Sequence, residues 1–201
     1  VEPEIVEIDS TDWVQAARFD PLDHTELKKW LSMELPFKAS SQQALALNKI
    51  KRDLSGGRTR PDRWLNWMRP PLRGLREEGA LLEGILLASA LSDEARGVLE
   101  GLEGGVLGEL SGSHSMLIRV RSGDLTDWEF CTKRFGDDGL SRSLRIAAWR
   151  RVGDSGTELS AEDLLEGAVA LSEVGETMPD ALVWSLASDL VSKGKPAEAL
   201  Q

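Results

Sequence analysis

The sequence has few side chains that form disulfides or bind metals. Cys131 is the one cysteine, and His24 and His114 are the two histidines. A single cysteine cannot form an internal disulfide, which fits a reducing compartment, and a zinc site built from Cys and His is not expected. We therefore predict no metal or other cofactor, and we expect Cys131 to be a buried structural residue.

Long apolar segments and a secretory leader are also lacking. The longest apolar stretch, Ala80 to Leu91, is interrupted by Glu83 and falls short of the ~20 residues that a membrane helix needs. No basic segment followed by an apolar core opens the sequence. These absences predict a cytoplasmic protein that has no membrane partner.

Catalytic motifs are scarce, since the sequence has no HExxH, CxxC or Walker lysine. Gly153 to Gly156 reads GDSG and resembles the nucleophile segment of trypsin-like proteases, but that fold needs two β-barrels and a suitably placed histidine. The GDDG at 136–139 resembles the metal-binding turn of RNA polymerases, which need a far longer chain, so a hairpin turn is the better interpretation. We predict that the protein is not an enzyme.

Charge is abundant and segregated along the chain. The formal net charge is −10, yet residues 49–76 carry nine bases and two acids and so have a local charge of +7. The region from Gly153 onward has ten acids and two bases. A segregated charge pattern allows a basic face to bind nucleic acid or to pair with an acidic face of another copy. The alternative is that the charged faces neutralise each other within one folded chain.

The segment 49–76 has arginines interleaved with Trp64 and Trp67. Guanidinium groups suit phosphate and flat rings suit stacking on bases, so this composition favours a nucleic acid. Equally, the tryptophans could be core and the arginines could form ion pairs with acidic helices. The candidate nucleic-acid-binding residues are Lys49, Arg52, Arg58, Arg60, Arg63, Trp64, Trp67, Arg69 and Arg73.

Most of the sequence has helical patterning. Asp23 and the capping box of Ser40 with Gln43 start two helices, and the second has Ala44, Leu45, Leu47, Ile50 and Leu54 facing inward. The stretch 72–91 is apolar nearly all round after Gly79 and predicts a central buried helix. Ser160 with Asp163 starts a later helix that Gly175 ends, and another helix spans 179–192.

The region 116–152 predicts a different structure. Three runs rich in β-branched and aromatic residues alternate with the turn-like sequences RSGD and GDDG, which predicts a three-stranded antiparallel meander. The third run also has helical spacing at Leu144, Ala148 and Arg151, so a helix is the alternative there. A sheet would offer a second cationic surface, formed by Arg119, Arg121, Lys133, Arg134, Arg142, Arg145, Arg150 and Arg151.

These observations predict an α+β fold that is mostly helical. We expect a helical part at 1–105, with an acidic N-terminal arm, and a second part at 106–201 with the meander and a C-terminal helical pair. The two parts could also form one domain. The predicted function is nucleic-acid binding, RNA more than DNA, by a homo-oligomer such as a viral coat or nucleocapsid-like subunit. The alternative is an acidic protein–protein adaptor whose arginines form internal or intersubunit salt bridges.

The C-terminal Leu200-Gln201 resembles the residues that viral chymotrypsin-like proteases of the 3C class prefer before a cut. This resemblance is compatible with a viral polyprotein product. An arbitrary chain boundary accounts for the same residues equally well.

Overall fold

A computed structural model describes residues 11–58, 60–68, 72, 76–102, 107–126, 131, 137–155, 159–173 and 175–195. Over these residues the regular secondary structure is helical, and no strand is present. None of the described helices has the length and apolar character needed to cross a bilayer. The helices are α1 (Thr11–Gln15), α2 (His24–Ser32), α3 (Ser41–Ser55), α4 (Pro61–Trp67), α5 (Glu77–Ser89), α6 (Glu94–Glu100), α7 (Gly108–Arg121), α8 (Gly139–Ser155), α9 (Ala161–Glu173) and α10 (Asp180–Ser192).

The chain forms two compact units, Val1–Ser115 and Met116–Gln201. The division between them falls within α7, which is continuous through both residues at the boundary. The domain boundary that we expected near residue 105 stays a prediction.

Helix α5 is the centre of the first unit. It is apolar on all sides, and every residue from 81 to 90 is buried, which confirms the prediction of a buried helix. It packs against α6 and α4. Gly84 allows the closest approach to α6, because a Cβ at this position would lie 2.6 Å from the side chain of Leu99.

Aromatic side chains hold the N-terminal helices of the first unit together. The ring centroids of Trp13 and Trp30 are 4.4 Å apart, and Phe19 packs edge-on against Trp30 at 5.6 Å. Trp30 also donates a hydrogen bond from Nε1 to the carbonyl oxygen of Trp13, at 2.8 Å. The indole N–H is thus satisfied where it is buried, and α1 is joined to α2 by packing and by a hydrogen bond.

The predicted three-stranded sheet is wrong. Its first run continues α7, and its third run is α8. In α7 the buried residues recur every three or four positions, as they do on one face of a helix, and the same holds for α8. Local β-propensity in Ile118 and Val120 is overridden by this packing period. The buried positions include Leu110, His114, Leu117 and Val120 in α7 and Leu140, Leu144, Ala148 and Val152 in α8.

The middle run, 125–135, lies mostly outside the described residues. Cys131 is described there, and it is helical and buried, as a structural cysteine was predicted to be. For the third run, the helical alternative that its residue spacing left open is correct, because this run is α8.

The two predicted hairpin turns are helix ends. Gly123 has a φ of 95°, and the N–H of Asp124 donates to the carbonyl of Arg119 at 3.0 Å, which is the Schellman pattern at the end of α7. Asp138 starts α8 by accepting hydrogen bonds from the N–H and the hydroxyl of Ser141, at 2.9 and 2.7 Å. Glycine and aspartate serve both kinds of turn, so their presence alone does not separate a hairpin from a helix end.

The second unit has its core among α8, α9 and α10, which all contact one another. Trp149 and Val152 of α8 pack with Leu164 and Leu171 of α9 and with Leu182 of α10. The predicted start and end of α9 are confirmed, because the N–H of Asp163 donates to Ser160 Oγ and the N–H of Glu176 donates across Gly175 to Leu171.

Substituting Gly167 by Ala is expected to destabilise the protein by about 1–3 kcal/mol, because the new Cβ would lie 2.6 Å from the rigid, buried ring of Trp149. Gly112→Ala is the matched control. Gly112 also lies within a helix, but nothing lies within 4 Å of a Cβ there, so this variant should gain about 0.5–1 kcal/mol in helix propensity. Urea unfolding measures both. Equal effects of the two variants would contradict the assigned packing.

Substituting Asp124 by Asn is expected to lower stability at neutral pH. Hydrogen bonds from Arg119, at 2.9 Å, and from Thr126 hold the pKa of the Asp124 carboxyl below its ordinary value of 3.8. A lowered pKa in the folded state stabilises the fold above the ordinary value, and this contribution is lost as the pH falls from about 4 through the folded pKa. The difference between the wild type and D124N should therefore narrow in acid.

Urea unfolding at neutral pH and at several acidic values checks this pH dependence. Asp137→Asn is the control, since Asp137 is exposed and has no hydrogen bond with a described residue. A D124N difference that stays constant from neutral pH into acid would show that the carboxylate is not stabilised by Arg119.

Candidate nucleic-acid interface

The described part of the predicted binding segment lies at a corner between two helices in the first unit. This corner consists of α3, a short turn and α4, and α3 also packs against α2. The predicted capping box is confirmed, since the N–H of Gln43 donates to Ser40 Oγ and the N–H of Ser40 donates to Gln43 Oε1. The start of α3, and hence the orientation of each of its side chains, is fixed by this reciprocal pair.

The turn after α3 is set by Gly56 and Gly57. Gly57 has a φ of 64°, and the N–H of Arg58 donates to the carbonyl of Asp53 at 2.9 Å, which closes a Schellman motif. Arg58 is therefore held directly at the end of α3. Arg60 follows as the N-terminal cap residue of α4, and its carbonyl accepts from the N–H of Trp64.

The arginines around this corner are exposed to solvent. None of them forms an ion pair or hydrogen bond through its side chain with any residue in the described part of the chain. Phosphate oxygens could therefore reach them without displacing an internal acid. These arginines are Arg52 in the last turn of α3, Arg58 and Arg60 in the turn, and Arg63 in the first turn of α4.

Arginines outside the corner are engaged differently. Arg18 pairs with Glu109, and Arg96 pairs with Glu100. Two of the residues that were predicted to form a cationic sheet face, Lys133 and Arg134, lie outside the described residues, and the other six are helical. Three of these six pair with acids: Arg119 with Asp124, Arg145 with Glu173 and Arg150 with Glu176. The predicted sheet face is therefore wrong, because no strand is present among the described residues, and three of its guanidinium groups are paired.

The two tryptophans of the segment have different environments. Trp64 is 0% exposed and packs edge-on against the ring of His24, with centroids 5.5 Å apart. A ring in this position cannot stack on a base, so Trp64 fills the core below the corner. Trp67 is half-buried, and Lys49 Nζ lies 5.7 Å from its ring centroid. This cation–π contact joins α3 to α4 and leaves part of the Trp67 ring accessible.

Six residues at the corner form the surface that we call the basic surface: Lys49, Arg52, Arg58, Arg60, Arg63 and Trp67. Arg69 and Arg73, which were also predicted to bind nucleic acid, lie outside the described residues. Within the part of the chain that is described, no group of three His, Cys, Asp or Glu side chains is arranged to hold a metal ion.

Sequence reasoning missed the exposed leucine of α3. Leu45 was expected on the buried face, but it is 57% exposed, whereas Gln43 and Ala46 are buried. The buried face follows Gln43, Ala46 or Leu47, Ile50 and Leu54, so Leu45 lies on the side that carries Lys49 and Arg52. Counting helical turns from the capping box places Leu45 on the same side of α3 as Lys49, which lies four residues later. The sequence could therefore have predicted where Leu45 lies.

The chain matches no protein-family model, no curated protein and no solved structure. The geometry and charge of its own residues therefore carry the functional argument.

Trp64→Ala is expected to destabilise the protein by about 3–5 kcal/mol, because it empties a fully buried site. Trp64→Phe should cost less, since it keeps a ring and removes an Nε1 that has no hydrogen-bond partner among the described residues. Trp67→Ala, at the half-buried ring, should cost about 1 kcal/mol. Urea unfolding ranks the three variants. A larger loss for Trp67→Ala than for Trp64→Ala would reverse the assignment of the core residue.

Proposed function

We propose that this protein binds nucleic acid, RNA in preference to DNA, through the basic surface, and that copies of it assemble on the bound strand. It acts without catalysis, as a coat or nucleocapsid-like subunit does, and we place this activity in the cytoplasm. The observation that carries the proposal is the set of exposed arginines at the α3–α4 corner that have no acidic partner among the described residues.

The chemistry of the corner favours the phosphate backbone. Arg52, Arg58, Arg60 and Arg63 provide forked donors within a short stretch of chain, and guanidinium groups match phosphate oxygens in a bidentate manner. A chain with a net charge of −10 would repel nucleic acid if its charge were uniform, so binding has to be local. Contacts to phosphate carry little sequence information, and we expect binding to depend weakly on sequence.

The exposed part of Trp67 supports a preference for a single strand. Its ring offers a surface for one base, and unpaired bases can turn toward such a ring, whereas bases in a duplex are already stacked. Lys49 lies over the same ring and adds a positive charge next to this surface. Arg69 and Arg73 remain in the proposal as candidate phosphate contacts on the strength of the sequence alone.

The acidic adaptor is the second candidate function, and the second unit favours it. Trp184 of α10 is 73% exposed, and Val183 and Val191 on the same helix are 47% and 55% exposed. Exposed tryptophan with apolar neighbours is typical of a surface that binds protein. An adaptor would form a stoichiometric complex that survives nuclease treatment, whereas an RNA-dependent assembly would not.

Charge reversal tests the proposal. Arg58→Glu, Arg60→Glu and Arg63→Glu, alone and combined, should weaken binding to short single-stranded RNA at every sequence tried. Each lost phosphate contact should also lower the slope of log K against log salt by about 0.7. Fluorescence anisotropy at several salt concentrations measures both quantities. The wild type should bind single-stranded RNA more tightly than duplex DNA, because only unpaired bases can stack on Trp67.

Arg142→Glu is the matched control. Arg142 is exposed on α8 and, like Arg63, has no ion pair with a described residue, so R142E makes the same charge change at a residue that is not part of the basic surface. Binding that survives reversal of all three arginines, or that falls equally in R142E and R63E, would remove the basic surface from the proposal.

A further inference from the structure

We infer that an exposed stripe on α9, formed by Glu162, Leu165, Glu166 and Val169, docks onto an exposed stripe on α3 of a second copy, formed by Leu45, Lys49 and Arg52. This inference rests on the proposed function in one respect, since it names the contact by which copies would assemble. We call these the acidic stripe and the basic stripe.

The acidic stripe is one continuous helix face. Its four residues are spaced i, i+3, i+4 and i+7, so they lie together along α9. Leu165 is 51% exposed and Val169 is 60% exposed. The opposite face of α9 is the core side, where Leu164, Gly167 and Leu171 are buried. The core of the unit is therefore complete without these two apolar residues, which remain in contact with solvent.

The acids of this stripe have no partner among the described residues. Glu162 and Glu166 are exposed, and neither forms an ion pair or side-chain hydrogen bond with a described residue. By contrast, Glu173 at the end of the same helix pairs with Arg145. A face that combines exposed aliphatic side chains with unpaired acids fits a partner that has apolar and basic side chains at helical spacing.

Such a partner is present in the same chain. Leu45, Lys49 and Arg52 are spaced i, i+4 and i+7 along the outer side of α3, away from its buried face. Leu45 is 57% exposed, and the guanidinium of Arg52 has no acidic partner among the described residues. The basic stripe thus has an exposed leucine at one end and two positive charges toward the other.

The two stripes match in length and in charge. Each spans eight residues of helix, and the seven steps of 1.5 Å between its ends make it about 10 Å long. Two negative charges on one stripe face two positive charges on the other, and Leu45 can pack against Leu165 and Val169. Contact between two acidic stripes would bring four like charges together, so a symmetrical contact through α9 is disfavoured.

Because the two stripes are different surfaces, the contact is heterologous. When two copies dock, each keeps one unused stripe. Further copies can then extend the assembly into a chain, or the last copy can close it into a ring. A single contact of this size is weak and salt-sensitive, but several copies on one RNA strand would be held at a high local concentration. Arg58, Arg60 and Arg63 lie outside the basic stripe and stay available to the RNA.

Complementary charge reversal provides the test. Glu162→Lys with Glu166→Lys reverses the acidic stripe, and Lys49→Glu with Arg52→Glu reverses the basic stripe. Sedimentation velocity at low salt and without RNA should show concentration-dependent assembly of the wild type and monomers of each double variant. In an equimolar mixture of the two double variants, one variant keeps the original basic stripe and the other keeps the original acidic stripe. Each original stripe finds an original partner on the other variant, so the mixture should form complexes again.

The chain that carries all four substitutions is the most demanding test, because the charges of both stripes are exchanged and its self-association should return. Circular dichroism checks that each variant keeps its helical content. If a reversed variant loses helix, Glu162→Gln with Glu166→Gln removes the charges without adding new ones and should weaken assembly in the same direction.

Two results would overturn the inference. One is a wild type that remains monomeric at low salt up to its solubility limit, and the other is a reversed variant that assembles as the wild type does. RNA binding is read separately by anisotropy. The variant with the reversed acidic stripe keeps its basic surface and should bind RNA, so a failure of assembly is distinguishable from a failure of the proposed function. Assembly that follows the charge pattern without any RNA binding would reject the proposed function alone.

Discussion

The burial of α5 is the constraint on which the first unit depends. A helix that is apolar on every side cannot be covered by one neighbour, so several elements have to surround it. Helices α4 and α6 both contact it, and Gly84 brings α6 close enough for Leu99 to occupy the space of a side chain. The interior is filled mainly by leucines and, apart from Glu83 of α5, the charged side chains described in this unit are not buried. The arginines of the α3–α4 corner are exposed because the interior is apolar, and also because many of them occur in one short stretch.

The helix ends could be predicted where a side chain specifies them. Ser40 with Gln43, Asp23 and Ser160 with Asp163 were each recognised from a short polar pattern, and each makes the expected hydrogen bonds to the backbone. Leu91 shows the limit of this reasoning. It has a φ of 55° just after α5, a conformation that glycine normally provides, and nothing in its own chemistry indicates it. The end of α5 is closed there by the hydrogen bond from the N–H of Ser92 to the carbonyl of Leu87, at 2.9 Å, while the side chain of Leu91 is 73% exposed.

The sheet was mispredicted because the local sequence signals favoured strands, whereas the longer-range period of the buried residues is helical. β-Branched residues and glycine-containing turns between 116 and 139 are local signals, and they are shared by hairpins and by helix ends. The period of the buried residues is a longer signal, and it is helical in α7 and α8 alike. In α7 the helix begins at Gly108, within a glycine-rich stretch, so only its second half was visible as a pattern. A period read across the glycines would have extended through His114 to Val120.

In the candidate site, some features follow from composition and others only from packing. Composition alone locates the positive charge in 49–76, since no other stretch has this excess. It cannot separate Trp64, which fills the core, from Trp67, which is partly exposed, because the two differ by less than one turn on one short helix. Nor does it reveal that Leu45 joins Lys49 and Arg52 on the outer side of α3. The helical phase of α3 places the exposed side chain of Leu45 next to these cations. The surface therefore suits a protein partner as well as phosphate. The acidic stripe of α9 has the opposite charges along a helix face of the same length, so one chain carries both halves of the inferred contact, which its net charge of −10 would otherwise oppose.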